Sequence, residues 1–303
     1  MKKSLPDREI ARNYTGVPKK KTNSRPATSS IPNGIAVSQL EHELAIIFLH
    51  HRTDAVTRNN LESFRRWNPD IPIVLLSGDE PMEGGISARG LPAFQKLCQH
   101  YQGTEWMHRS GLDVMLVDWY RRRKIKAKRW FLVEWDGWCG MPVREFLGEV
   151  WEADVVVSSV RWPNREPEWY WFRQIQRLPR AYRPYAVGLA PTCYTMLSDR
   201  ALQAVSDQLV GELLGHIIYE IRIPTIAHAS GYPPVVNPRA GWNVSWKDIE
   251  EGTPLSRNLW HPIKWLAPHV PCSPAPNDRG SFVPMMTLGR ASKTSGGLPH
   301  SPL

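Results

Sequence analysis

The chain has 303 residues, is 42% hydrophobic and 22% charged, and carries a net charge of +9. That length and composition suit one sizeable core and exclude a fully disordered chain, while the positive balance favours anionic partners without choosing among phosphates, nucleotides, nucleic acid and acidic membrane surfaces. The longest apolar runs, such as residues 44–49, are too short to span a bilayer, and no apolar stretch follows the basic N-terminus as a secretory signal would require. Cys98, Cys139, Cys193 and Cys272 form no CxxC pair, so neither a zinc site nor a disulfide framework is indicated.

Residues 1–39 combine Lys2, Lys3, Lys19, Lys20 and Lys21 with Pro, Ser, Thr and Asn, and are predicted to be a disordered basic tail. Residues 268–303, rich in Pro, Ser and Gly, are predicted to be a second flexible tail. Between them, residues 40–267 read as one domain. Residues 44–49 form a buried strand. Thr53 or Asp54 can cap the next helix, whose Leu61, Phe64 and Trp67 recur at helical spacing. After the Asn68-Pro69-Asp70 turn, residues 71–76 give a second strand, and this β-α-β unit implies a parallel pair. Leu112, Met115, Leu116 and Trp119 make one helix face. Residues 130–134 form a strand, Pro142 opens a helix carrying Val143, Phe146, Leu147 and Val150, and residues 154–157 form another strand. The predicted fold class is therefore α/β: a single open, mostly parallel sheet with helices on both faces. Ligands of such sheets bind outside the carboxyl ends of the strands.

Glu134-x-Asp136 stands where a buried strand runs out into a turn. Two acids one residue apart on extended chain point to the same side, and together they can hold a hard divalent ion such as Mg²⁺ or Mn²⁺. An Asp-Gly turn with solvated acids accounts for the same tripeptide, so both readings stand at this point. Arg121 to Arg129 is the densest basic run, readable as a polyanion-binding surface or as a solvated helix end. Trp162, Trp169, Tyr170, Trp171, Tyr182 and Tyr185 crowd one Pro- and Arg-rich stretch, able to stack on sugars or to anchor a loop on the core.

The segment Trp130-Phe-Leu-Val-Glu-Trp-Asp-Gly-Trp138 resembles the short acidic strand-end motif, usually Asp-x-Asp, of the GT-A class of nucleotide-sugar glycosyltransferases. Residues 44–49, the helix after them and residues 71–79 look like that class's nucleotide-binding half, residues 185–198 with the helix from Asp199 like its acceptor-positioning strand and helix, and His261-Pro-Ile-Lys264 like its late histidine segment. The first acid here is Glu rather than the commoner Asp. The resemblance implies a metal held by Asp136 and His261, with Mn²⁺ or Mg²⁺ as cofactor. It implies donor contacts from Arg109, Asp113, Glu134 and Lys264, and a diphosphate leaving group stabilised by the metal, His261 and Lys264. Glu220, at the polar edge of a helix, is the candidate general base that activates the acceptor hydroxyl, with a solvated helix end beside Arg222 as the alternative. Arg109 and Asp113 equally fit an i,i+4 surface pair. The implied partners are a nucleotide-diphosphate sugar and an unidentified acceptor (glycan, lipid or protein), with nucleic acid disfavoured. The expected location is cytoplasmic, with peripheral membrane contact open. A non-catalytic polyanion-binding protein on an α/β scaffold and a catalytically inactive GT-A-like domain are the competing readings.

Overall fold

In a computed structural model, residues 41–90, 111–189, 191–208 and 217–269 are described. Both predicted tails, apart from residues 268 and 269, and Arg109 lie outside them. A seven-stranded sheet organises the domain: β1 (Ala45–His50), β2 (Ile73–Ser77), β3 (Ile86–Ser87), β4 (Arg129–Glu134), β5 (Val155–Val157), β6 (Thr195–Ser198) and β7 (Val235–Val236), in the order β7-β5-β6-β4-β1-β2-β3. β1 pairs in parallel with both β2 and β4, β2 with β3, and β5 with β7. Only β6 runs against its neighbours, wedged between β4 and β5. The four strands expected from the sequence share this sheet, each within two residues of its expected bounds. The antiparallel β6 makes it mostly rather than wholly parallel.

The strands read as continuous apolar runs because both faces are covered. Ala45, Ile47 and Leu49 of β1, with Trp130 and Leu132 of β4, pack against α2 (Leu112–Arg122), α4 (Asp199–Gln208) and α5 (Tyr219–Ala229). The alternate residues Ile46, Phe48, Phe131 and Val133 face α1 (Ala55–Trp67) and α3 (Val143–Leu147). The period of two along each strand thus sorts one sheet into two cores. Asp54 caps α1, its carboxylate accepting from the Thr57 amide at 2.9 Å. Pro142 is the residue on which α3 starts.

Strand order reverses between β1 and β4. The chain runs from β1 outward through α1 to β2 and β3, then returns to place β4 on the other side of β1. At such a reversal the connections leave in opposite directions and open a crevice at the carboxyl edge. No helix among the described residues is long and apolar enough to cross a membrane.

Candidate metal centre

Glu134 is the last residue of β4, and a tight turn follows, closed by the Gly137 amide donating to the Glu134 carbonyl at 2.8 Å. Gly137 is required by space. A Cβ there would lie 2.9 Å from the Tyr194 hydroxyl and 3.0 Å from a Val133 methyl. The turn brings Asp136 to the same place as Glu134, at the β1–β4 reversal.

The third member comes from far along the chain. Leu259–Trp260 pairs antiparallel with Trp138–Cys139, directly after the acidic turn. The Tyr194 hydroxyl bridges the carbonyls of Trp260, at 2.6 Å, and Trp138, at 3.1 Å. From α1, the Asn60 amide donates to the carbonyls of Trp135, at 3.2 Å, and Ile263, at 2.9 Å, while the Ile263 amide donates to the Asp136 carbonyl at 2.7 Å. These clamps deliver His261, whose Nε2 lies 3.2 Å from Asp136 Oδ1 and 3.9 Å from Glu134 Oε2. Asp136 and His261 are buried.

The three side chains form a donor set that could hold one ion. One ligand atom from each of Glu134, Asp136 and His261 lies within 4.8 Å of the others. Atoms held about 2.1 Å from a common cation sit roughly 3 Å apart when adjacent and about 4 Å apart when opposed. The His261 ring is also set for ligation. Its Nδ1–H donates to the Ser245 carbonyl at 3.0 Å, which leaves Nε2 facing the acids and fixes the ring plane, as the outer partner of a metal-bound histidine does.

The electrostatics of the ion-free site are those of crowded acids. Burial, reinforced by Asp136 and opposed by His261, lifts the Glu134 carboxyl to about 7. Burial works against a charged His261, but the hydrogen bond and charge of Asp136, with the charge of Glu134, outweigh it and raise the imidazole pKa. The Tyr219 hydroxyl donates to Glu134 Oε1 at 3.3 Å.

Glu220 follows Tyr219 in the first turn of α5. Its side chain is buried, neither oxygen has a hydrogen-bond partner among the described residues, and burial plus the charge of Glu134 lift its pKa well above the carboxylate range. It is therefore not a solvated helix end. The helix that carries it is α5, and residues 209–216 before it fall outside the described residues. Asp113 is fully buried and ion-paired with the equally buried Arg222 of α5. It braces α5 against α2 rather than offering a carboxylate at the surface. Lys264 is exposed and pairs with Asp248 at 2.6 Å.

A cavity of about 40 Å³ lies outside the ends of β1 and β4, lined by Leu49, His50, His51, Leu112, Glu134 and Trp135. His50 Nδ1 donates to the Arg52 carbonyl at 3.0 Å, and burial holds the ring below its usual pKa.

Two other sequence features resolve differently. Much of the basic run, though largely exposed, is engaged in contacts within the protein's own surface. Arg121 bonds Ser206, Arg122 pairs with Asp118, Arg123 reaches Asp199 at 3.0 Å while lying 3.5 Å over the Tyr120 ring, Lys128 pairs with Glu43 and Arg129 with Glu152. The aromatic stretch mostly packs on its own surroundings. Trp169 covers Gly188, where a Cβ would come within 2.2 Å of the ring, and stacks edge-on to Phe172. Gln174 of this stretch accepts the Ile218 amide at 2.7 Å, tying it to the start of α5 and so to Tyr219 and Glu220.

Tyr219, Asn60 and Ser245 complete the centre and carry no local sequence signal; only the fold brings them there. No protein-family model matches this chain, and no curated protein matches it in sequence.

Proposed function

We propose that this protein is a divalent-metal-dependent glycosyltransferase of the GT-A type, taking a nucleotide-diphosphate sugar as donor. One observation carries the reading: Glu134, Asp136 and His261 converge at the carboxyl end of the central strand, where strand order reverses. That is where an open α/β sheet binds its ligand, and an oxygen-rich ion site there suits a diphosphate. Two carboxylates with one imidazole favour Mn²⁺ over Mg²⁺, because nitrogen ligation suits the softer ion. A cation held there would offset the charge that gathers on the leaving diphosphate.

The protein's own groups supply the rest. Asp136 and His261 anchor, and Glu134, held by Tyr219, lies beside them toward the crevice. Glu220 is the candidate base. Burial and the charge of Glu134 hold its carboxyl pKa well above the usual range in the ion-free state, and any offset of the Glu134 charge lowers it. A base is most effective when its pKa lies near the working pH, so such an adjustment favours proton removal from an acceptor hydroxyl. The polyanion-binding alternative loses ground because the arginines expected to serve it are engaged with Asp118, Asp199, Glu152 and Ser206.

The direct test is a thermal-shift screen of nucleotide sugars with and without Mn²⁺, since a ligand of the folded state stabilises it in proportion to occupancy. Calorimetry of nucleoside diphosphates then compares the wild type with Asp136→Asn. The variant is expected to fold and to lose Mn²⁺-dependent binding. Unchanged binding in the folded variant would remove Asp136 as the anchor and the proposal with it.

A further inference from the structure

Trp242 and Trp246 are among the most solvent-exposed large apolar side chains of the described residues, at 69% and 51% of their full accessibility. Burial is the usual fate of so large an apolar ring, so two such indoles four positions apart call for an explanation. A loose loop is not the reason. The stretch between them is pinned to the metal centre: the His261 amide donates to the Asn243 carbonyl at 2.9 Å, the Ser245 amide to the His261 carbonyl at 3.1 Å, and His261 Nδ1 to the Ser245 carbonyl. Val244, bridged in parallel to His261, is buried in the core. Trp242 also rests edge-on against the buried Trp260, with ring centroids 5.1 Å apart. The two indoles are thus held in water on backbone that is fixed beside His261.

The charges nearby select among possible partners. Lys247, Asp248, Glu250 and Glu251 follow Trp246 and are exposed, and Asp248 pairs with Lys264, so the flank carries mixed charge with no net positive balance. Such a flank offers phosphate-rich surfaces no basic patch, so anionic lipid and nucleic acid are poor fits. A neutral saccharide fits well. Its C–H faces stack on indole, and its hydroxyls find the carboxylates and the ammonium around the rings.

We propose that Trp242 and Trp246 form a saccharide-binding surface beside the Glu134–Asp136–His261 centre, on which the acceptor sugar stacks. Its role as an acceptor site rests on the glycosyl-transfer reading, but saccharide binding by itself does not.

The test uses the full chain without nucleotide or metal. Linear tetrasaccharides of glucose (β-1,4 and α-1,4), mannose and N-acetylglucosamine are titrated by calorimetry and by tryptophan fluorescence. At least one is expected to bind saturably and to blue-shift or quench the emission. Trp246→Ala should weaken binding about tenfold or more, the loss typical of a central aromatic contact, while Trp246→Tyr retains most of it. Trp242→Ala should do likewise, and Trp246→Ala decides the matter if removing the Trp260 neighbour unfolds the protein. Absence of binding across the panel, or binding indifferent to Trp246→Ala, overturns the proposal. So does association with phosphatidylserine vesicles that the same substitution abolishes, which would make the surface a membrane contact. Loss of Mn²⁺-dependent nucleotide binding with saccharide binding intact would count against the enzyme alone.

Discussion

Replacing Glu134 by Gln should make the ion-free protein more stable at neutral and alkaline pH, even though Glu134 belongs to the candidate site. The Glu134 carboxyl has a folded pKa of about 7 against an ordinary 4.5, chiefly because burial penalises its charge. A raised pKa favours the protonated folded state. Its contribution to stability is therefore fully present below about pH 4.5 and is lost as pH rises through 7. The gap corresponds to about 3 kcal/mol, at about 1.4 kcal/mol per pH unit, and roughly 2 kcal/mol of it falls between pH 5 and pH 8. Gln reproduces the neutral carboxyl in size and keeps an acceptor for the Tyr219 hydroxyl. The variant should match the wild type near pH 5 and exceed it by about 2 kcal/mol at pH 8, or roughly 4–8 °C in Tm for a domain of this size. His261, whose pKa is also raised, adds a slope of the same sign that the variant keeps in part. Chelator-treated protein melted across pH 5 to 8 gives the comparison. Added Mn²⁺ should then reverse the order, stabilising the wild type at high pH, where its ligands are deprotonated, and leaving Glu134→Gln nearly unmoved. A variant that is less stable than the wild type at pH 8 without metal, or that keeps the full pH slope, would refute this account of the site.

Asp136→Asn should reduce transferase turnover by about a hundredfold or more, measured with whichever nucleotide sugar the screen identifies. Glu220→Gln should leave Mn²⁺ and nucleotide affinity in calorimetry nearly unchanged while turnover falls roughly a hundredfold or more, the scale of a lost general base. Arg222→Ala leaves Asp113 buried without its counter-charge and should cost about 3–5 kcal/mol in urea denaturation, whereas the double variant Asp113→Leu/Arg222→Met should recover much of that loss. Arg123→Ala should lower stability by about 1–2 kcal/mol, because it removes both the Asp199 contact and the cover over Tyr120, and should scarcely change the salt dependence of any nucleic-acid binding.

The parts of the fold visible in the sequence are those governed by short-range pattern. Residues 44–49, the Asp54 cap and Leu61, Phe64 and Trp67 announce the first β-α unit, because strand and helix periods are local quantities. The direction of β6 is not local. Its Thr195-Met-Leu-Ser198 reads as any doubly buried strand, and only its pairing with β4 and β5 makes it antiparallel. The site divides the same way. Glu134 and Asp136 are legible from their place at a strand end, and the association of His261 with them came from resemblance rather than from any feature of its own neighbourhood. Glu220, Asp113 and Arg222 look like surface charges in sequence, since burial by partners a hundred residues away leaves no nearby trace. Trp242 and Trp246 are the converse: apolar residues whose exposure no pattern announces.

The pairing of Leu259–Trp260 with Trp138–Cys139 has a consequence for the order in which the molecule is assembled. During synthesis Glu134 and Asp136 leave the ribosome well before His261, so the acids wait as an open, mutually repelling pair while more than a hundred residues are added. An ion caught by all three ligands then closes a very long loop. Such a closure restricts the unfolded chain as a cross-link does, yet it can be undone by a chelator. The centre would serve as a reversible latch on the late segment. In ion-free protein, a protease that cuts between residues 245 and 260 should find its substrate more readily than when Mn²⁺ is present.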